Sequence, residues 1–495
     1  MHHEAQRLVG ALRERGVEPG EVVAFQLPNW REAVVAFYGL AMGGYVLVPI
    51  VHIYGAKEVR FIMAQSGARA YISADRNGYV DYIDIVDGAA PGQVANLAHH
   101  IVVETTDDRV PATTHPEQQR ASWTDAVSRA APITDVAHAD PDDVCVLAYT
   151  SGTTSDPKGV MHTHRTLLAE LPHITQWIAP GAPNLMGSPV THATGMLGAV
   201  LGPMDLGENI HLIDRWDPDH ALDVMLEAGI GAGTGASVFL ASIIDHPRFT
   251  PEHARLIRGV GLGGAPVPTA LAERAAAHGI RLIRAYGSTE HPSITGGQYD
   301  DPDRQRNGSD GRPLDGVEMR LVDDDGNDVA TGRPGEIVSR GPDLSMGYTD
   351  PALTAAAFDA DGWYHTGDMG VLDRDGYLTI TDRLNDVIIR GGENISAAEV
   401  EAAISALPAV AEVAVVAAPD ARLGEHACAF VRLAPRDADT APAFDLATIT
   451  AHLQQVGIAR QKWPEELRIV DDYPRTASGK IRKVDLRAQL REARP

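Results

Sequence analysis

Val144-Cys-Val-Leu-Ala-Tyr-Thr-Ser-Gly-Thr-Thr-Ser-Asp-Pro-Lys158-Gly159 is the most informative segment of this sequence. Its apolar half, Val144 to Tyr149, predicts a core strand, and its second half is a loop rich in hydroxyl side chains. In open α/β sheets, ligands bind at the carboxyl ends of the strands. Because Gly152 and Gly159 let the backbone approach an anion and Lys158 supplies a positive charge, the segment predicts a phosphate-binding loop. It is not a Walker A loop, since no glycine precedes the lysine and no serine or threonine follows it.

Lysine is scarce in this chain, which gives the loop lysine weight. Of the 42 lysines and arginines, the lysines are Lys57, Lys158, Lys462, Lys480 and Lys483. The position of one of them inside a loop rich in glycine and hydroxyl groups favours a ligand-binding role over that of a solvated surface side chain.

Helices and strands alternate along the first half of the chain. Hydrophobic periodicity predicts a helix from Glu4 to Arg15, a strand from Glu21 to Leu27, a helix from Trp30 to Met42 and a strand from Tyr45 to Pro49. This alternation indicates an α/β fold with largely parallel strands. The segment from Asp87 to Ala139 is richer in polar residues, proline, threonine and histidine, and we expect an irregular connection there.

The pattern changes after Gly311. Short strand-like runs separated by glycine-containing turns predict an antiparallel barrel or small sheet. These runs are Glu318–Val322, Gly335–Ser339, Gly370–Leu372 and Tyr377–Ile380. The last part of the chain has its own α+β order, with a helix at Ala397–Leu407, strands at Val413–Ala417 and Ala427–Leu433, and a helix near Leu446–Gly457. We therefore expect an α/β fold: a large N-terminal domain of αβ-layered sheets, a small β-barrel-like subdomain, and a small α+β C-terminal domain.

The composition narrows the classes of function. The chain has 495 residues, 44% of them hydrophobic, whereas single cores stop growing at about 250–300 residues. Its formal net charge of −25 repels phosphate backbones and anionic lipid, so we expect neither nucleic acid nor a membrane surface as the main partner. No apolar stretch approaches the roughly 18 residues of a membrane-spanning helix. Cys145 and Cys428 fit neither a metal spacing nor a disulfide framework, which favours buried thiols and a cytoplasmic location.

Six motifs along the chain resemble those of the adenylate-forming (AMP-binding) superfamily, which includes acyl-CoA synthetases, firefly-type luciferases and peptide-synthetase adenylation domains. They are Thr150–Gly159, Tyr286–Glu290, Gly335–Tyr348, Tyr364–Asp368, Asp382–Arg383 with Arg390–Ile395, and Pro474–Ile481. The motifs stand in the family's order and span nearly the whole chain. The sequence looks closest to bacterial fatty-acid–CoA and cyclohexanecarboxylate–CoA ligases. The family normally has a few dozen residues before the first predicted helix, so the resemblance implies a shortened start.

The resemblance implies an ATP site at the phosphate loop. It implies that Glu290 holds Mg²⁺ and that Thr289 touches the α-phosphate. Tyr286 would stack on adenine, Asp368 would accept hydrogen bonds from both ribose hydroxyls, and Arg383 would reach the ribose or a phosphate. The other residues implied for the nucleotide are Thr150, Ser151, Gly152, Thr153, Thr154, Lys158, Gly287 and Ser288.

Lys480 is the catalytic lysine that the resemblance implies, bridging the substrate carboxylate and the α-phosphate. In the family the small C-terminal domain is mobile, and it rotates between the two half-reactions so that a thiol can enter. The implied domains are residues 1–382 and 383–495, with a hinge near Asn385, where the family usually carries Asp or Lys. After rotation, Gly391 and Gly392 would line the coenzyme A tunnel. His192 would lie beside the acyl pocket and this tunnel, although an ordinary core histidine is the alternative.

The segment Gly259–Gly264 fits the GxGxxG pattern of dinucleotide sites, but Pro266 and Pro268 follow where a helix is needed. We instead assign this region to the wall of the acyl pocket. The candidate wall residues are Ser237, Val238, Phe239, Gly263, Gly264, Ala265, Gly287 and Ser288. They are small or apolar and offer no carboxylate to an amino group, which argues against an amino-acid substrate.

These observations predict an ATP-dependent carboxylic acid–CoA ligase that uses ATP, Mg²⁺ and coenzyme A and acts on a fatty or alicyclic acid. The alternatives within the superfamily are an aryl-CoA ligase, an acyl-AMP ligase and luciferase-type chemistry. An inactive homologue that binds nucleotide or acyl-CoA, and an oxidoreductase built on Gly259–Gly264, are the alternatives of other classes. A homodimer is left open.

Overall fold

The structure is a computed structural model. It describes residues 1–78, 80–106, 110–150, 157–178, 184–264, 267–383, 386–390, 393–420, 424–434, 444–456, 458, 460–476 and 479–492. In these ranges α/β layers are followed by an antiparallel sheet and a smaller α+β part, which confirms the predicted fold class. None of the helices in the described ranges combines the length and the apolar character that a bilayer-spanning segment needs.

A seven-stranded sheet forms the centre of the N-terminal part. In spatial order its strands are Gln119–Ser122, His99–Val103, Ala70–Ala74, Val22–Gln26, Val46–Pro49, Val144–Thr150 and Lys158–Thr163. The strands are parallel except for the last two, which form an antiparallel hairpin. The hairpin places the predicted phosphate loop at the carboxyl end of a central strand, between Thr150 and Lys158, which are paired across it.

The segment from Asp87 to Ala139 is not the irregular connection that we expected, because it supplies two strands of the main sheet. Strand His99–Val103 is fully buried, and strand Gln119–Ser122 forms the sheet edge. The buried His100 is hydrogen-bonded to the Ser73 hydroxyl at 2.8 Å and accepts a bond from Arg120 Nε at 3.0 Å. These internal partners let polar residues occupy strand positions, so the polar composition did not indicate a loop.

Helices cover the main sheet. They are His2–Glu14, Arg31–Gly43, Ala56–Ser66, Tyr82–Asp87 and His164–Thr175, with a π-helical turn at Thr124–Ser128 and a 3₁₀ turn at Pro91–Gln93. The helix His164–Thr175 begins with a capping box: the Thr163 hydroxyl accepts from Thr166 N at 3.2 Å, and the Thr166 hydroxyl accepts from Thr163 N at 3.0 Å. This cap fixes the start of the helix directly after the phosphate-loop hairpin.

A second α/β unit follows around a four-stranded sheet. Its strands are, in spatial order, Val260–Leu262, Leu282–Tyr286, Thr295–Gly296 and Arg312–Pro313, and Asn184–Leu185 pairs with Gly231–Ala232. Its helices are Ala193–Gly195, Met196–Leu201 (a π-helix), Gly202–Leu206, Pro218–Ala228, Ser237–Ile244, Pro251–Leu256, Thr269–Ala277 and Asp303–Gly308. The strand Leu282–Tyr286 ends at the predicted Tyr286–Glu290 motif, which places that motif at a strand terminus.

The predicted small antiparallel sheet is confirmed. It contains Glu318–Val322, Pro334–Arg340, Tyr364–Leu372 and Leu378–Arg383, in this order, and the helix Pro351–Ala357 lies between its second and third strands in sequence. Asp368 lies opposite Arg383 in the register of the last two strands.

The C-terminal part is a five-stranded sheet with helices. Its strands are Ile388–Arg390, Glu393–Ile395, Val410–Asp420, Gly424–Leu433 and Glu466–Ile469. Its helices are Ala397–Ser405, Leu446–Gln455 and Lys483–Glu492, with a 3₁₀ turn at Arg460–Lys462. Helix Ala397–Ser405 and helix Leu446–Gln455 contribute to one apolar core with this sheet. The domain boundary at residues 382 and 383 stays a prediction, and the hinge residue Asn385 lies outside the described residues.

Candidate active site

The phosphate-loop hairpin is joined by main-chain bonds to the segment Met346–Thr349. Met346 N donates to Met161 O at 2.9 Å, and Thr349 N donates to Gly159 O at 2.8 Å. At Gly159 an added Cβ would lie 2.9 Å from both the Thr349 hydroxyl and the Tyr149 ring, so glycine is needed for this close approach. The four implied loop residues lie outside the described residues; they are Ser151, Gly152, Thr153 and Thr154.

Tyr348 connects the loop lysine to the predicted magnesium ligand. Lys158 Nζ lies 5.4 Å from the centre of the Tyr348 ring, and the Tyr348 hydroxyl donates to Glu290 Oε1 at 2.7 Å. Burial, and then the Glu290 carboxylate, hold the pKa of Tyr348 well above its usual value, so the phenol stays a donor. Tyr348 therefore contacts a buried carboxylate through its hydroxyl and an ammonium group through its ring. A carboxylate and an ammonium group at this spacing suit a phosphate that is bound together with a hard divalent cation.

Glu290 and Thr289 lie in a tight turn after strand Leu282–Tyr286. The Ser288 hydroxyl accepts from Glu290 N at 3.2 Å, and Ser288 N donates to His291 O at 2.9 Å. The Thr289 carbonyl accepts from His162 Nε2 at 2.8 Å. These bonds come from the turn itself and from the phosphate-loop hairpin, so both predicted residues are held against that hairpin.

Gly287 makes this turn possible. A Cβ at this position would lie 1.9 Å from the carbonyl oxygen of Pro292, a contact that the backbone cannot accept without moving. We expect Gly287→Ala to destabilise the N-terminal part by about 1–3 kcal/mol and to raise the KM for ATP. Thermal unfolding and ATP kinetics measure both effects. The matched control is Gly297→Ala, where the added methyl group would have its nearest contact at 3.7 Å. Equal behaviour of the two variants would contradict this role of Gly287.

Tyr286 and Asp368 form the second predicted part of the nucleotide site. The Tyr286 hydroxyl donates to Asp368 Oδ2 at 2.8 Å, and both side chains are buried. Asp368 lies on strand Tyr364–Leu372, where its own main-chain N donates to the Thr366 hydroxyl at 3.1 Å. The tyrosine ring therefore holds the carboxylate in one orientation at the boundary of the second α/β unit and the antiparallel sheet.

Lys480 lies on a closed turn of the C-terminal part. Thr476 N donates to Lys480 O at 2.8 Å, and Lys480 N donates to the Thr476 hydroxyl at 3.1 Å. Arg475 donates to the carbonyl of Gly479 at 3.1 Å and to Glu412 at 2.6 Å, and it pairs with Ile481 across the turn. The main chain around the predicted catalytic lysine is thus held from both sides.

This turn lies against the predicted acyl-pocket wall of the N-terminal part. A Cβ at Gly479 would lie 3.9 Å from Val238 Cγ1. Burial, and then the positive charge of Lys480, lower the pKa of His192 to about 4, so this imidazole is neutral at pH 7. The backbone of Gly264 has a positive φ of 73°, and its added Cβ would lie 3.8 Å from the Thr194 hydroxyl. The turn that contains Gly479 and Lys480 therefore lies beside Val238, and the charge of Lys480 acts on His192.

Several predicted residues lie outside the described residues: Ala265, Gly391 and Gly392. The side chain of Arg383 is not described, although its backbone is paired with Asp368. The GxGxxG segment contains the strand Val260–Leu262, so it does not form the turn of a dinucleotide site. The sequence analysis placed Tyr348 at the end of the third motif without giving it a role, and it did not single out His162. Nothing near either residue in sequence shows that it contacts the Thr289–Glu290 turn.

Two family models match this chain. A family model described as AMP-binding enzyme matches residues 1–349, and one described as AMP-binding enzyme C-terminal domain matches residues 399–480. The chain belongs to the AMP-binding enzyme family. This confirms the resemblance noted above and identifies an ATP-dependent, adenylate-forming acid–thiol ligase.

Relatives in this AMP-binding family are similar along nearly the whole chain. The medium-chain fatty-acid–CoA ligase of Escherichia coli is 32% identical over 494 residues, which are 99% of this chain and 85% of the relative. A 3-[(3aS,4S,7aS)-7a-methyl-1,5-dioxo-octahydro-1H-inden-4-yl]propanoyl:CoA ligase of Mycobacterium tuberculosis is 33% identical over 96% of this chain and 90% of the relative. The crystal structure of ATP-bound MatB from Rhodopseudomonas palustris superposes with a TM-score of 0.87 at 27% identity, covering 100% of this chain and 93% of that one.

Proposed function

We propose that this AMP-binding enzyme is a carboxylic acid–CoA ligase with two half-reactions. In the first, the acid and ATP give an acyl-adenylate and pyrophosphate; in the second, coenzyme A replaces AMP and gives the acyl-CoA. The observation that carries the proposal is the position of the Lys480 turn, which comes from the C-terminal part and lies against Val238 of the N-terminal part. The charge of Lys480 also lowers the pKa of His192. This is where a carboxylate would meet an α-phosphate.

The residues around Tyr348 would bind the phosphates of ATP. Lys158 and the hydroxyl-rich loop supply positive charge and donors for the β- and γ-phosphates. Glu290 would hold Mg²⁺, which when bound neutralises phosphate charge. The bond from the Tyr348 hydroxyl fixes the direction of the Glu290 carboxylate, and the bond from His162 holds the Thr289 carbonyl. From this turn Thr289 would reach the α-phosphate. Preorganisation of this kind favours the charge that develops at phosphorus.

The nucleoside would lie between Tyr286 and Asp368. The carboxylate has two oxygens and can accept from two ribose hydroxyls while it retains the bond from Tyr286. Arg383 lies on the neighbouring strand and is the proposed further contact to the ribose or a phosphate.

Lys480 would neutralise the substrate carboxylate and the α-phosphate as they approach each other. The neutral state of His192 matters here, because a second positive charge beside Lys480 would repel the lysine ammonium group. We propose that His192 positions the acid, and that Lys480 stabilises the charge at the reacting atoms.

For the second half-reaction we propose that the C-terminal domain, residues 383–495, rotates about a hinge near Asn385. The turn carrying Lys480 would then leave, and Gly391 and Gly392 would border the entry path of coenzyme A. Coenzyme A as the acceptor is supported by the names of the relatives, which are CoA ligases. We also propose a cytoplasmic location and leave the homodimer as an open part of the proposal.

The acid is proposed to be a fatty or alicyclic one. The predicted wall contains Val238 and Phe239 on helix Ser237–Ile244, and the Phe239 ring meets Trp216 edge-on at 4.8 Å between centroids. The wall offers apolar surface, which favours a hydrocarbon chain or ring. Two relatives are named for a medium-chain fatty acid and for a fused-ring propanoic acid, which supports the same class.

The experiment that tests the proposal is ATP–pyrophosphate exchange across fatty, alicyclic and aryl acids, followed by addition of coenzyme A. We expect exchange with fatty or alicyclic acids and formation of the thioester after addition. Exchange without thioester would indicate an acyl-AMP ligase. Absence of exchange with every acid, in protein that binds ATP, would indicate an inactive homologue and refute the proposal.

The Tyr286–Asp368 bond gives a separate prediction. Tyr286→Phe removes the donor that orients Asp368, so we expect the KM for ATP to rise about 5- to 10-fold, equivalent to about 1–1.5 kcal/mol. The matched control is Tyr377→Phe, directly before strand Leu378–Arg383, which removes a similar 2.7 Å bond to Asp301 and should leave the KM unchanged. Steady-state kinetics at varied ATP measure both variants. An equal KM for both would contradict the role of Tyr286.

A further inference from the structure

A buried polar cluster is formed by three side chains that the proposed ATP site does not use. Glu170 and His173 are one turn apart on helix His164–Thr175, and Asp343 follows strand Pro334–Arg340. Their side chains are 0%, 5% and 0% exposed. His173 Nδ1 lies 3.6 Å from Glu170 Oε2 and 3.9 Å from Asp343 Oδ2, and the three atoms lie within 4.8 Å of one another. Three charged or basic groups therefore converge on one point inside the protein.

Each of these side chains has an outer partner. The Ser293 hydroxyl donates to Glu170 Oε1 at 2.5 Å, and His291 Nε2 donates to Asp343 Oδ1 at 3.2 Å. His173 Nε2 donates to the carbonyl of Asp315 at 2.9 Å. Because a carbonyl can only accept, the outer nitrogen of His173 carries a proton, and in the neutral ring the inner nitrogen presents a lone pair. Outer bonds of this kind orient metal ligands in proteins.

The inner atoms have no such partner. Among the described residues, Glu170 Oε2, His173 Nδ1 and Asp343 Oδ2 lack a hydrogen bond although they are buried. Buried polar atoms nearly always have a partner, and buried carboxylates need a compensating charge. Two carboxylate oxygens and one imidazole nitrogen that face each other are all electron-pair donors. A cation at their centre satisfies all three.

We propose that Glu170, His173 and Asp343 bind one divalent transition-metal ion of the Zn²⁺ type, at a site distinct from the Mg²⁺ proposed beside Glu290. Two metal–ligand bonds of about 2.1 Å place their ligand atoms at most about 4.2 Å apart. The distances of 3.6 and 3.9 Å from His173 Nδ1 to the Glu170 and Asp343 oxygens therefore fit one coordination sphere. An imidazole ligand favours zinc, iron or nickel over magnesium or calcium, which prefer oxygen alone.

The place of the cluster indicates what the ion does. His291 follows Glu290 directly, and Ser345 N donates to Glu290 O at 2.8 Å. The ion would thus join helix His164–Thr175 to the loop containing Asp343, and this loop contacts the turn that carries Glu290. Its role is structural support of the magnesium-binding turn, without contact to substrate.

The test uses full-length protein, incubated with Zn²⁺, passed through a desalting column and analysed for metal by mass spectrometry. We expect about one retained zinc per chain in the wild type and in Glu290→Gln, which removes the proposed magnesium ligand. Glu170→Gln and His173→Gln should bind zinc at least about 10-fold more weakly. The matched control, His253→Gln, removes a buried histidine that caps helix Pro251–Leu256 and should retain the metal.

A second measurement covers the case in which a variant does not fold. Wild-type protein loaded with Co²⁺ should show the absorption bands of cobalt with nitrogen and oxygen ligands, and added Zn²⁺ should abolish them. The proposal is overturned if folded wild-type protein retains no zinc, or if folded Glu170→Gln and His173→Gln retain as much as the wild type. It is equally overturned if nitrogen NMR of the zinc-treated protein shows His173 as an imidazolium, since a proton would then occupy the inner position. None of these readouts depends on ligase activity.

Discussion

Lys480→Ala is expected to lose the first half-reaction and keep the second. Removal of the ammonium group leaves the negative charges of the carboxylate and the α-phosphate unopposed, so formation of the adenylate should fall about 10²- to 10³-fold. Thioester formation from supplied acyl-adenylate and coenzyme A should stay within about threefold of wild type, because the lysine has no role after the proposed rotation. Pyrophosphate release and acyl-CoA formation, measured separately, distinguish the two steps.

The control for this variant is Lys462→Ala in the same part of the chain. Lys462 pairs with Glu399 at the surface, and such pairs contribute little, so both half-reactions should be unchanged. The Lys480→Ala variant should also raise the pKa of His192 above its value of about 4, because one of the two causes that lower it is removed. Proton NMR of the histidine ring measures this shift. Equal loss of both half-reactions would contradict the division of roles.

Glu290→Gln is expected to have the second large effect. The glutamine amide oxygen can still accept from the Tyr348 hydroxyl, so the turn should keep its shape while the negative charge is lost. We expect adenylate formation to fall about 10²- to 10³-fold and to need much more Mg²⁺ for half-maximal rate. Magnesium titrations of pyrophosphate exchange, with thermal unfolding as a check of the fold, measure the result.

Tyr348→Phe is the comparison that separates charge from orientation. It leaves the carboxylate in place and removes the bond of 2.7 Å, so a smaller loss of about 10-fold is expected. If Glu290→Gln kept the magnesium dependence of the wild type, the assignment of Glu290 as the metal ligand would be wrong.

Local signals explain why much of the fold was predictable from the sequence. The run Val144 to Tyr149 and the glycines after it predicted a strand that ends in a loop, and the structure has a strand there from Val144 to Thr150. The predicted run Glu318–Val322 is a strand with the same bounds. In both cases the hydrophobic pattern and the turn residues lie next to each other in the chain, so neighbouring residues alone carry the information.

Contacts between distant residues were not predictable in the same way. The bond between Tyr348 and Glu290 joins positions 58 residues apart, and nothing in either motif shows that a hydroxyl meets a carboxylate. The strand His99–Val103 was missed because its two histidines looked like loop residues, although partners elsewhere in the fold make their burial favourable. The cluster of Glu170 and Asp343 likewise exists only once the chain has folded.

Arg475 stiffens the turn that would carry Lys480 through the proposed domain rotation. Arg475 binds the Gly479 carbonyl at one end of the turn and Glu412 at the other, so in the proposed rotation the backbone at Gly479 and Lys480 would move together with the sheet that carries Glu412. The conformational entropy of ordering this turn is lost once, when the chain folds, and is not lost again in each turnover. The rate of the proposed rotation would then depend on temperature and solvent viscosity through the friction on the C-terminal domain as it moves as one body.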